Sequence, residues 1–149
     1  MQEKDLKVFI DVTMNYFDKI SGHQAEMAEP YIEFEDPPLL EFSGLIQISG
    51  RSHGIVYITT PQAMLKQLLI RLGEPQITDE LMGDLVGEIA TTISGNVRSV
   101  FGETFKISVP TIIGGTNKVM PELPFANFVV PIKWEEFEPF LVIGILEEE

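Results

Sequence analysis

The stretch DELMGDLVGEIATTISGNVRSVF, Asp79 to Phe101, decides how the rest of the chain is read. Its spacing predicts one long helix. Thr78 is an N-cap residue type, and Asp79 and Glu80 put negative charge in the first turn, where the helix dipole favours it. Gly102, just past the last apolar pair, is a natural stop. At about 100° per residue, Met82, Leu85, Val86, Ile89, Ile93, Val97 and Val100 fall on one broad apolar stripe. Asp84, Glu88, Thr91 and Gly95 fall together on the opposite side, because steps of four, three and four residues return to one face. Gly83, Gly87, Ser94, Arg98 and Ser99 surround them, so this second face is polar and low in relief.

A glycine inside a helix costs roughly 0.5–1 kcal/mol relative to alanine, and this helix carries Gly83, Gly87 and Gly95. Close approach of another group is what offsets such a cost. Gly83 and Gly87 suit packing against a second helix of the same chain. Gly95, beside Glu88 and Thr91, suits a partner from outside. The expectation is a docking face with one carboxylate at its centre.

Outward from this helix, the chain reads as short elements with regular punctuation. Asp5 to Ile20 places Leu6, Phe9, Ile10, Met14, Phe17 and Ile20 at helical spacing and ends at Gly22. An acidic, proline-bearing segment follows, with a short strand expected at Tyr31 to Phe34. Leu40, Phe42, Ile46 and Ile48 then alternate with Glu41, Ser43 and Gln47, the period of a half-buried strand. Gly50-Arg51 suits a two-residue turn with glycine first, and Ile55 to Thr59 is the returning strand. Thr60-Pro61 opens a further helix, with Thr as cap, Pro first, Leu65, Leu68, Leu69 and Leu72 as its apolar face and Gly73 as its end.

Beyond Gly102, Phe105 to Val109 and Thr111 to Ile113 read as short strands around Pro110, and Gly114-Gly115-Thr116-Asn117 reads as a turn. Ala126 to Trp134 and Phe140 to Leu146 are longer strands. Both halves of the chain therefore give a helix followed by strands joined in a hairpin, an order compatible with an internal pseudo-repeat. Hairpin-linked neighbours imply an antiparallel sheet, which the helices must cover. The fold class is α+β.

At 149 residues with 44% hydrophobic content, the chain suits a single domain spanning 1–149 with a real core. The net charge of −13 argues against nucleic acid as a partner and disfavours anionic membrane surfaces. Its longest apolar run, FLVIGIL, falls far short of a membrane span, and MQEKDLKVF lacks the pattern of a signal peptide. A cytoplasmic location is expected. With no cysteine, thiolate chemistry and disulfides are excluded.

Several chemistries lack their residues. His23 and His53 have neither a histidine at i+4 nor cysteine company, so no zinc site is expected. Ser94 lies mid-helix and not at a strand-to-helix elbow, and the glycines at 114 and 115 have no phosphate-cradling lysine. Asp84, Glu88 and Thr91 remain.

The run Asp84-x3-Glu88-x2-Thr91 within DLVGEIATTISGN, followed by Pro110 in ISVPTIIGG, resembles the signature helix of the CheC/CheX/FliY family of chemotaxis phosphatases, nearest its CheX-type members. That signature is an acidic residue or Ser, three residues, Glu, two residues, Asn, and a Pro some twenty residues on. The resemblance follows the order of elements over the whole chain. It implies a helix-covered antiparallel sheet, pairing into a homodimer, and removal of phosphate from the aspartyl phosphate of a CheY-like response regulator. On it, Glu88 engages a lysine of the regulator and Thr91 stands where the family Asn positions water. Asp84, Gly95 and Arg98 would help to dock the partner. The chain needs no cofactor or metal of its own, because the regulator supplies Mg²⁺.

Thr91 is a departure from that signature. It is shorter than Asn, stiff at χ1 and without the amide's paired donor and acceptor, so a water held by it sits differently. Asn96 is no replacement, its wheel position lying towards the apolar side. Three readings stand: a phosphatase of this kind, a non-catalytic regulator-binding or signalling module of the same fold, and a dimeric structural domain whose glycines serve packing alone.

Overall fold

The computed structural model describes residues 3–21, 24–115, 122 and 126–146. Helix α1 spans Glu3–Ser21 and is followed by two short strands, β1 (Glu26–Met27) and β2 (Tyr31–Glu33). The long hairpin β3 (Phe42–Gly50) and β4 (His53–Thr60) leads into α2 (Gln62–Arg71) and then α3 (Asp79–Phe101). Strands β5 (Phe105–Ile107) and β6 (Thr111–Gly114) precede the closing pair β7 (Asn127–Lys133) and β8 (Phe140–Leu146). Thr116, Asn117 and His23 lie outside the described residues.

All pairing is antiparallel. The long strands run β7-β8-β4-β3, and each outer edge is closed by two short strands in succession, β1 and β2 on β7 and β5 and β6 on β3. Helix, two short strands and long hairpin thus occur in order twice, with α2 between. Each set of short strands pairs with the hairpin of the other set. At the centre β4 meets β8 with Val56 opposite Ile143.

One face of the sheet carries the main core. Phe42, Ile46, Val56, Ile58, Val130, Ile132, Trp134 and Ile143 meet Phe9 and Phe17 of α1, Met64 and Leu65 of α2, and Val86, Ile89, Ile93 and Val97 of α3. Alternate strand positions point the other way. There Leu45, Ile55, Tyr57, Ile113, Val129 and Val142 form a second buried cluster. The half-buried strand expected at 40–48 is therefore buried on both faces over 42–46. Residues 38–40 reach that second face: the Tyr57 hydroxyl donates to the Pro38 carbonyl (2.7 Å), and the Leu40 amide donates to Thr59 Oγ1 (2.8 Å). Ser43, whose hydroxyl bonds Thr59 Oγ1 at 2.7 Å, is satisfied inside.

Three local expectations are corrected. Gly50 belongs to β3 and pairs with Phe105, leaving Arg51 and Ser52 as the turn. Thr60 stays in β4, fully buried, and Pro61 is the N-cap of α2. Leu72 and Val100 are 68% and 62% exposed, each at the end of its helix where the core no longer reaches.

Helix α3 sits on β3 at Gly44. A Cβ there would lie 2.6 Å from the Val86 carbonyl oxygen and 3.0 Å from Ala90 Cβ. That contact fixes the height of α3 above the sheet and, with it, which face of α3 looks outward.

Candidate functional site

Thr78 opens α3 as its sequence implies: Oγ1 accepts from the Leu81 amide at 3.1 Å, which satisfies one of the unpaired first-turn donors. Met82, Val86, Ile89, Ile93 and Val97 are buried against the sheet. On the opposite side Asp84, Glu88, Thr91, Thr92, Asn96 and Arg98 are exposed and Gly95 is half-buried. The four residues expected on one face are brought together there. Asn96 is exposed as well, at the margin of this face and not against the core.

Gly83 and Gly87 are buried, and what they admit is not a helix. A Cβ on Gly87 would meet Ile112 Cδ1 at 2.6 Å and Pro110 Cγ at 3.5 Å, and one on Gly83 would meet Ile112 Cγ2 at 3.2 Å. Their neighbour is the segment running into β6. This segment is held tightly: the Ser108 amide donates to the Gln47 carbonyl (3.0 Å), while Ser108 Oγ accepts from the Gln47 amide (2.9 Å) and donates to the Val109 carbonyl (2.8 Å). The serine side chain bridges the gap in the β3 ladder between β5 and β6, and Pro110, which has no N–H to place, follows it at the sheet edge. Pro110 thereby borders the outward face level with Glu88. At Gly95, by contrast, a Cβ would meet nothing within 4 Å.

The other flank of this face is α1. Its Tyr16, partly buried against the core, is pushed up to about 12, first by burial and then by the negative charge of Glu88. Glu88 therefore stands close to the α1 side while remaining exposed. Arg98 has one nitrogen committed, Nε donating to the Phe105 carbonyl at 3.1 Å, which ties the end of α3 to β5. At the other end, Asp79, Glu80 and Asp84 with Gly114 and Gly115 border an open hollow of about 350 Å³. Among the described residues no group of three or more His, Cys, Asp or Glu is arranged to hold a metal ion. No helix of the described residues is long and apolar enough to cross a membrane.

Thr92, Tyr16 and Pro110's contact with α3 were not singled out as site features by spacing along α3 alone. Thr92 could have been, since i+4 from Glu88 is as near as i+3. Tyr16 lies in a different helix, and only the packing of α1 on α3 brings it to Glu88.

The chain is thus an α+β domain, an open antiparallel sheet backed by helices, with a polar face of its central helix turned outward. Solved structures share this fold. A chemotactic CheC-like protein from Shewanella oneidensis MR-1 superimposes with a TM-score of 0.82 at 22% identity, covering 98% of this chain and 100% of that one. The chemotaxis protein CheX from Vibrio vulnificus gives 0.79 at 20% identity, over 96% and 99%. A chain of a CheX–CheY–BeF3–Mg²⁺ complex from Borrelia burgdorferi gives 0.76 at 19% identity, over 95% and 97%. No curated protein sequence matches the chain. The family model described as chemotaxis phosphatase CheX matches residues 42–133, well over half of the 149 residues, and the chain belongs to that family.

Proposed function

We propose that this protein acts in chemotaxis signalling on a phosphorylated CheY-type response regulator, in the cytoplasm, by hydrolysing its aspartyl phosphate. The observation that carries this reading is the shared exposure of Glu88 and Thr91 on α3, one turn apart and bordered by Pro110, in a chain of the CheX family. The solved complex of a CheX with CheY adds support through a common fold. An acyl phosphate already has a good leaving group, so catalysis needs mainly positioning and charge stabilisation. A single helix face can provide both.

In this reading Glu88 engages a lysine of the regulator and Thr91 holds the attacking water. Asp84 and Arg98 form the rim, and Gly95 lets the partner backbone come close. The regulator carries the Mg²⁺. A homodimer belongs to the same reading, supported by the apolar side chains exposed along β1, β2 and the following segment, among them Met27, Ile32 and Phe34.

Thr91 in place of an amide favours a second reading, a module of the same fold that binds the regulator without hydrolysing it. Phosphate release from a phosphorylated CheY-type regulator separates the two. Acceleration by wild type that disappears in Glu88→Ala supports the phosphatase. No acceleration by wild type, with gain in Thr91→Asn, supports the binding module. No effect of any variant on that regulator, in release or in binding, refutes both.

A further inference from the structure

Threonine and serine inside a helix commonly satisfy their hydroxyls on the carbonyl four residues back. Thr13 does so on Phe9 (2.7 Å) and Ser99 does so on Gly95 (3.1 Å). Thr91 and Thr92 do not: among the described residues neither hydroxyl has a protein partner. Both side chains are exposed. They stand three and four residues beyond Glu88, the two positions adjacent to it on the helix surface towards the C-terminus. Two unspent hydroxyls thus flank the one central carboxylate, one on either side of it and about 100° apart around the helix axis.

We propose that Thr92 is a second water-holding residue, and that Thr91 and Thr92 together do what a single carboxamide would do at this face. This rests on the phosphatase reading above. One hydroxyl touches a water at one point and leaves it free to swing. Two hydroxyls hold it at two, one accepting a proton of the water and the other donating to one of its lone pairs. The second lone pair is left to attack. The water oxygen forms a bond to phosphorus as the bond from phosphorus to the aspartyl oxygen breaks. The electron pair of that bond stays on the aspartate as carboxylate, and both water protons finish on the released phosphate as H2PO4⁻. Neither threonine gives up its proton, so their part is orientation.

The test is steady-state phosphate release from a CheY-type receiver domain phosphorylated with acetyl phosphate, using full-length wild type, Thr92→Val, Thr92→Ser and Thr91→Val. Valine keeps the shape of threonine and removes only the hydroxyl. Thr92→Val is expected to lower kcat about tenfold, the worth of one hydrogen bond, with KM and the unfolding temperature unchanged. Thr92→Ser should retain the wild-type rate. A Thr92→Val enzyme with the kcat of wild type overturns this inference and leaves the phosphatase reading standing. A fall in kcat matched by Thr92→Ser, or accompanied by a lowered unfolding temperature, also overturns it, since the hydroxyl would then not be the cause. A wild type that gives no acceleration overturns the inference together with the reading it rests on.

Discussion

Gly95→Ala should make this protein more stable and less able to engage its partner. Gly95 lies inside α3, well short of its end at Phe101, and an added Cβ meets nothing within 4 Å. No clash offsets the gain in helix propensity, which is about 1 kcal/mol for glycine to alanine. For a chain of this length that corresponds to an unfolding temperature higher by about 2–4 °C. Gly87→Ala has the same gain but drives a Cβ to 2.6 Å from Ile112 Cδ1. Overpacking of that kind costs about 1–3 kcal/mol, so the net change is between about zero and a loss of 2 kcal/mol. Urea unfolding followed by Trp134, the single tryptophan and fully buried, measures both variants. Affinity for a phosphorylated CheY-type regulator, by calorimetry, measures the other half. A Gly95→Ala protein no more stable than wild type refutes the reasoning on open space. One that is stabilised and binds the regulator as wild type does refutes a role for Gly95 in docking.

Gly44→Ala is expected to cost about 3 kcal/mol in urea unfolding, because the Val86 carbonyl at 2.6 Å is backbone and cannot rotate away. Thr78→Ala should lose about 1 kcal/mol with the cap to the Leu81 amide, read as a lower urea midpoint with unchanged slope. Tyr16 gives a pH dependence. Its phenol is raised from the ordinary 10.0 to about 12, so above pH 10 the unfolded chain loses that proton before the folded one. The contribution of Tyr16 to stability is therefore fully present below pH 10 and lost as pH rises towards about 12. Tyr16→Phe should flatten that limb of the stability profile. Glu88→Gln removes the second cause and should lower the Tyr16 titration, followed by tyrosinate absorption.

Where periodicity and capping agreed, the elements were legible from residues alone. Asp79 to Phe101 is a helix with the expected cap and stop, and Phe140 to Leu146 is a strand. The near-continuous apolar run of that strand has its reason in the sheet, where β8 is central and covered on both sides. What sequence could not supply was the identity of distant neighbours. Gly83 and Gly87 announce close packing, but Ile112 and Pro110 become their partners only because β6 pairs with the edge of β3. Ser43 reads as a solvent-facing residue of an alternating strand. Its burial depends on residues 38–40 folding over the second face.

The site divides in the same way. Asp84, Glu88, Thr91 and Gly95 were legible because one helix carries them all and its geometry is fixed at 3.6 residues per turn. Tyr16 was not, since the packing of α1 on α3, which brings its phenol under the influence of the Glu88 charge, is not a matter of spacing. Thr92 was open to the same periodicity as Thr91, since i+4 from Glu88 is as near as i+3. The unspent state of its hydroxyl is visible only in three dimensions.

The most direct test of the account is a map of where the regulator binds. An isotope-labelled sample of this protein would be titrated with a CheY-type regulator activated by beryllium fluoride and Mg²⁺, and the backbone amide signals followed. The largest shifts are expected at Asp84 to Arg98 and at Val109 and Thr111, with little change along β1 and β2. Shifts concentrated on the β1 and β2 edge, with the signals of Glu88 and Thr91 unmoved, would contradict the claim that the outward face of α3 is the working surface of this protein.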